Sequence, residues 1–245
     1  MMKVTIPTSL KDITLRQYKK FLNISDNLKE NDRFVNAKLI EIFCKIPLEQ
    51  VMRLKLTDSE EITDLIYKMF EEKPALVKHF KLNNIEYGFH SKLDDMSLGE
   101  YIDLDTFIGD WENIEKAMAV LYRPVVSKLK GKYNVAEYEV GKEEAILDMP
   151  MDCVMSSIFF FVEFRIGIIA NYDELFGQGG GTSLDAVSQF STKWGWYQSL
   201  YGLANGDVER IESITKLGFH QCFMMLAFMK DKSEVEAKQM KKKFN

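Results

Sequence analysis

Residues 194–232 read WGWYQSLYGLANGDVERIESITKLGFHQCFMMLAFMKDK, and this stretch decides the fold. Two aromatic-rich runs at helical spacing flank Asn205-Gly206-Asp207, a corner built from residues that accept positive φ or cap a helix. The second run continues into a lysine-rich tail. No pairing of nucleophile, base and acid is visible in it. The stretch predicts packed helices and a rigid body.

Working outward, the same helical signature recurs. Thr14 and Gln17 form a capping box ahead of 14–24, with Leu15, Tyr18 and Leu22 on one face. Residues 32–44 place Val35, Leu39, Ile42 and Phe43 in a stripe. Pro47 opens a short helix at LEQVMRL. In 58–72 Ile62, Leu65, Ile66, Met69 and Phe70 share a face. Ser97 and Glu100 make a second capping box for a helix through Leu104. Asp110 caps a longer helix carrying Trp111, Ile114, Met118, Leu121 and Tyr122, and Pro124 marks its end. Pro150 then opens a long apolar helix to about Ala170. Further helices are predicted over 191–203, 207–215 and from Phe219 onward.

The period changes from helical to alternating at 77–90, VKHFKLNNIEYGFH, and short β-like pieces recur in 128–140, KLKGKYNVAEYEV. In 77–90 a two-residue Asn83-Asn84 turn pairs Leu82 with Ile85, Phe80 with Tyr87 and Lys81 with Glu86, the last as a cross-strand ion pair. The expected class is therefore mainly α with a small β-hairpin, in two helical halves. The charged stretch 128–140 places their boundary at 130/131, giving domains 1–130 and 131–245. The second half holds a glycine loop at 177–181 and a charged helix at the end of the sequence.

Composition excludes several function classes. In 245 residues the formal charge is −5, which argues against a surface made for nucleic acid throughout. Cys44, Cys153 and Cys222 are odd in number and flanked by apolar residues, so they read as buried thiols and not as a disulfide framework. The opening MMKVTIPTSLKD is polar after its methionines, so no secretory signal is expected there. The apolar run 154–170 falls short of a membrane span and carries Glu163 and Arg165, so it reads as a core helix without a membrane.

Sites of chemistry are sparse. GQGGGTS at 177–183 lacks the lysine of a phosphate loop. Residues 94–115 hold eight acids and no lysine or arginine, but without the spacing of a calcium loop. His79 and His90 share a hairpin face without a third ligand, and His220 beside Cys222 has no acid placed near it in sequence. No catalytic, cofactor or metal residue is assigned. KQMKKKF at 238–244 leaves open a contact with nucleic acid or with an acidic neighbour.

Three segments carry a resemblance: IPTSLKDITLRQYKKF (6–21), MSLGEYIDLDTF with AMAVLYRPV (96–125), and the stretch quoted first. Together they resemble neck or tail ring components of crAss-like bacteriophages. They are also similar to proteins described as tail assembly chaperones. The resemblance implies a non-enzymatic virion subunit, made in the bacterial host cytoplasm, that binds itself in a ring and contacts portal or neighbouring tail proteins around the DNA conduit. Its alternative is a chaperone that binds a tail protein transiently. The charge pattern suggests the edges of such contacts: Lys81 and Glu86 on the hairpin, and acids Asp103 and Asp105 against Lys238, Lys241, Lys242 and Lys243 of a neighbouring copy.

Overall fold

The computed structural model describes residues 4–27, 32–176 and 194–244. It is mainly helical with one small antiparallel sheet. The helices are α1 (Leu15–Asn27), α2 (Asp32–Phe43), α3 (Leu48–Val51), α4 (Leu56–Glu71), α5 (Leu98–Phe107), α6 (Ile114–Leu121), α7 (Met151–Asn171), α8 (Asp173–Phe176), α9 (Trp196–Leu203), α10 (Ile211–Thr215) and α11 (Phe219–Phe244). The strands are β1 (His79–Leu82), β2 (Ile85–Phe89), β3 (Tyr122–Leu129) and β4 (Lys132–Val135). The glycine loop expected at 177–181 lies outside the described residues.

Two compact units divide the chain, and they are not sequential halves. One comprises Met1–Ser91 with Phe107–Phe160, the other Lys92–Thr106 with Phe161–Asn245. The boundary expected at 130/131 falls instead in the turn of the β3–β4 hairpin, where Lys130 and Gly131 take φ of 49° and 79°.

In the first unit the capping signals act as read. Gln17 N–H donates to Thr14 Oγ1 at 3.2 Å and Thr14 N–H to Gln17 Oε1 at 3.1 Å, satisfying donors that a helix start leaves orphaned. The stripe of α4 buries Ile62 and Ile66 as expected, but Thr63 takes the third buried place and Leu65 is exposed. Thr63 is tolerated there because its hydroxyl donates to the Ser59 carbonyl at 2.8 Å.

The hairpin adopts the expected register, with Phe80 opposite Tyr87, Lys81 opposite Glu86 and Leu82 opposite Ile85. Asn83 and Asn84 carry the positive φ of a primed turn, 50° and 64°. The β-like pieces expected in 128–140 belong to the other half of the sheet, whose first strand begins earlier, at Tyr122. The strands run β1-β2-β3-β4, because β2 pairs with β3 through Tyr87–Pro124, Gly88–Arg123 and Phe89–Tyr122. The helix expected from Asp110 to Pro124 is shorter, Ile114–Leu121: Trp111 lies in the turn before it, and the chain passes straight into β3, which takes Tyr122 and Pro124.

One face of this sheet is an aromatic ladder. Phe80 stacks on Tyr87 at 5.2 Å, and Tyr122 meets both Phe80 and Phe89 edge-on at 5.3 Å. The buried Tyr122 hydroxyl donates to the Val77 carbonyl at 2.6 Å, meeting the need of a polar tip in an apolar setting. On the other face Tyr133 lies over Gly88 and donates to the Phe89 carbonyl at 2.6 Å.

α7 has the expected bounds, but over its 21 residues it is long and apolar enough to cross a membrane by length and composition, where the run 154–170 alone was expected to fall short. In the first unit it buries Cys153, Val154, Ser156 and Ser157, the two hydroxyls donating back to carbonyls of the preceding turn. Its later residues bury Phe161 and Ile168 but expose Val162 and Ile166, so the reading as a wholly buried core helix holds only for the first part.

Gly88 supplies a test of the sheet. A Cβ there would come within 2.7 Å of the Tyr133 ring, which is pinned by its hydroxyl, and 3.0 Å of Val125. Gly88→Ala should destabilise the protein by about 1–3 kcal/mol through overpacking. Thermal or urea unfolding checks this; a variant as stable as the parent would contradict the tight Tyr133 contact.

Candidate interaction surface

The second unit is built around Tyr101 of α5, only 1% exposed. Phe219 stacks on it at 4.9 Å, Phe223 meets it edge-on at 5.1 Å and Trp196 at 5.8 Å. Main-chain bonds fasten the same corner: Leu98 N–H to the Leu217 carbonyl at 2.7 Å and Phe219 N–H to the Met96 carbonyl at 3.1 Å. Ser97 and Glu100 form the expected capping box beside them.

α9 ends in a Schellman arrangement at the corner read from the sequence. Gly206 N–H reaches the Tyr201 carbonyl at 2.9 Å and Asn205 N–H the Gly202 carbonyl at 3.0 Å, with Asn205 at φ 54°. Asp207 then caps the next turn through Glu209 N–H at 3.0 Å.

Around this core the unit leaves large apolar side chains uncovered. Trp194 and, on α9, Tyr197 and Tyr201 are exposed, and so are Met224, Met225 and Phe228 on α11. The aromatic run, expected to serve core packing or a subunit contact, divides: Trp196 is half-buried and stacks on Phe223, while Trp194, Tyr197 and Tyr201 stay exposed. Beyond Lys230 every residue of α11 through Lys243 is exposed, so the helix runs free of its own unit.

The acids read as a contact edge are mostly engaged within the chain. Asp105 takes the Arg165 guanidinium on one oxygen and the Trp196 indole N–H on the other at 3.2 Å. Asp110 accepts from Glu112 N–H and Asn113, Glu115 pairs with Lys19, and Asp95 with Lys92. Asp103 is half-buried. The charge-complementary edge expected at Asp103 and Asp105 therefore loses Asp105 to an internal cluster.

Glu86 is likewise redirected. Lys81 stands opposite it in register, but the carboxylate is held by Lys128 at 2.6 Å and by His79 at 3.3 Å. The Lys128 ammonium holds the Glu86 carboxyl below its ordinary range. Lys128 reaches Glu86 because β3 pairs with β2, a pairing that sequence spacing does not reveal. Lys241, Lys242 and Lys243 are exposed as expected, while Lys238 lies 3.9 Å from Glu234 one turn back.

His220 also differs from expectation, because an acid does reach it. Its Nε2 is 3.1 Å from Asp94 Oδ1, and its Nδ1 is 2.9 Å from the Tyr172 hydroxyl. Asp94 lies far away in sequence, which hid it. The neighbouring Cys222 is buried and its thiol pushed up by that burial, the opposite of what a nucleophilic thiolate requires. Among the described residues no three His, Cys, Asp or Glu groups are placed to hold a metal ion.

No family model, no curated protein and no solved structure matches this chain.

Two predictions follow from these environments. Asp105→Ala leaves the Trp196 N–H and Arg165 without their acceptor and should cost about 1–2 kcal/mol of stability. Chemical denaturation reads that loss, and an unchanged midpoint would return Asp105 to the role of a surface contact. Burial pushes the Cys44 thiol up to about 11, and raises the Tyr101 and Tyr122 phenols as well. A raised value favours the neutral form in the folded state. Its stabilisation is complete below the ordinary thiol value near 9 and disappears as pH climbs to about 11. Melting temperature should fall across that window, and Cys44→Ala should flatten the fall by about 2–3 kcal/mol.

Proposed function

We propose that this chain is a non-enzymatic structural subunit of a bacteriophage neck or tail ring. In this reading it associates with itself and with portal or neighbouring tail proteins around the DNA conduit. The observation that carries the reading is the uncovered apolar surface of the second unit, where Met224, Met225 and Phe228 of α11 stand exposed. Exposed apolar groups gathered on one element mark contact surfaces for other polypeptides. The resemblance of segments 6–21, 96–125 and 194–232 to ring components of crAss-like phages supplies the kind of assembly.

A tail assembly chaperone is the second reading, favoured by the methionines in that surface. Unbranched, polarizable thioethers adapt to varied partners, which suits transient capture. The two separate in purified particles. Quantitative mass spectrometry should find the protein in fixed stoichiometry with the tail proteins if it is a ring subunit. Presence in infected cells but absence from particles would transfer the assignment to the chaperone.

A further inference from the structure

The first turns of α11 bury one face in the second unit: Phe219, Cys222, Phe223 and Ala227 are covered, and Leu226 and Met229 partly so. Continued at the alternating four- and three-residue steps of a heptad, that face runs through Leu226, Lys230, Ser233, Ala237, Met240 and position 244. From Ser233 to Met240 these residues are exposed. The helix therefore carries its packing seam beyond the unit that covers its beginning.

The charges beside the seam say what fits it. With Lys230, Ala237 and position 244 at a and Ser233 and Met240 at d, Glu234 and Lys241 occupy e, and Glu236 and Lys243 occupy g. In an antiparallel pair of such helices, a meets d, e meets e and g meets g. Superposing the segment on itself with Ala237 opposite Met240 brings Glu234 against Lys241 and Glu236 against Lys243. The two-fold repeats each pair. In this register the small Ala237 faces the large Met240 at the centre of the seam. A parallel pair matches only Glu236 with Lys241 and stacks Ala237 on Ala237 and Met240 on Met240.

We infer that residues 230–244 of α11 bind the same segment of a second copy of this chain as an antiparallel two-helix coiled coil. Within one chain Glu234 and Glu236 have only loose partners one turn away, Lys238 at 3.9 Å and Lys232 at 3.8 Å, all well exposed. Lys241 and Lys243 have no carboxylate within ion-pair distance among the described residues, so both are open to a partner. The contact is isologous and closes on two copies. It is separate from whatever head-to-tail contact a ring would use and does not depend on the ring reading. A single two-helix contact of this length lies at the small end of specific interfaces, so the dimer should be micromolar and favoured by low salt.

Cysteine pairing in the full chain tests the register. Ser233→Cys mixed with Phe244→Cys should form an intermolecular disulfide under mild oxidation, and neither variant should do so alone. Two copies of Ser233 in the antiparallel pair stand about 16 Å apart along the axis, too far to bridge. Cross-linking of Ser233→Cys with itself would overturn the inference in favour of a parallel pair. Charge exchange gives the second measurement, by sedimentation velocity. Protein with K241E and K243E, and protein with E234K and E236K, should each be monomeric, and their equimolar mixture should sediment as a dimer. A parent that stays monomeric up to about 200 µM, well above a micromolar Kd, overturns it. So does a parent that assembles without the Ser233/Phe244 cross-link, although that outcome leaves a ring formed by other surfaces standing.

Discussion

The packing of Phe219 and Phe223 against Tyr101 sets the direction of α11, and the rest of the second unit is arranged about that anchorage. Aromatic pairs at these separations favour tilted and offset geometries, which fix the helix in rotation as well as position. Main-chain bonds from Leu98 to Leu217 and from Phe219 to Met96 fasten the same corner from outside. Once the first turns are fixed in azimuth, a straight α-helix determines where every later side chain points. The body ends near Lys230, but the helical repeat does not, and the exposed second half of α11 inherits a face chosen by the buried first half.

The first unit depends in the same way on Tyr122, whose ring sits where α6 becomes β3. Its hydroxyl ties the strand to the segment before β1 and its ring joins Phe80 and Phe89 in the ladder. A helix that turns directly into a strand leaves no linker, and that explains why the sequence hides where β3 begins. Tyr122 falls at helical spacing from Met118 and so reads as helix. Pro124, correctly a helix terminator, says nothing about what comes next. The Lys130-Gly131 turn lacks the asparagine that made Asn83-Asn84 recognisable, although its φ values are those of the same turn class.

Local rules were legible, and long-range partners were not. The two capping boxes, the hairpin register and the Asn205-Gly206 helix stop rest on residues within a few positions of one another, and each appears as its chemistry requires. Asp105, Glu115, Glu86 and Asp94 are held by Arg165, Lys19, Lys128 and His220, which the fold brings from distant parts of the chain. An acid-rich stretch therefore looks like a surface in sequence while its members are engaged one by one in structure. The lysines of α11 stay exposed because no described element packs on the helix beyond the unit that holds its start.

The charge order in α11 has a simpler explanation that accounts for part of it. Lysines in the last turn complement the helix dipole, and the Lys232–Glu236 and Glu234–Lys238 spacings suit a helix standing alone in water. Neither effect depends on which side of the helix the charges occupy. Neither calls for Ser233, Ala237 and Met240 to continue the face that Phe219, Phe223 and Leu226 begin, nor for opposite charges at the same heptad letter on both flanks. Val235, the other exposed apolar residue of this stretch, lies off that line, so the flanking charges and not an apolar stripe single the face out. The azimuth of the uncovered seam, more than its composition, is what ties the projecting half of α11 to a second helix of the same kind.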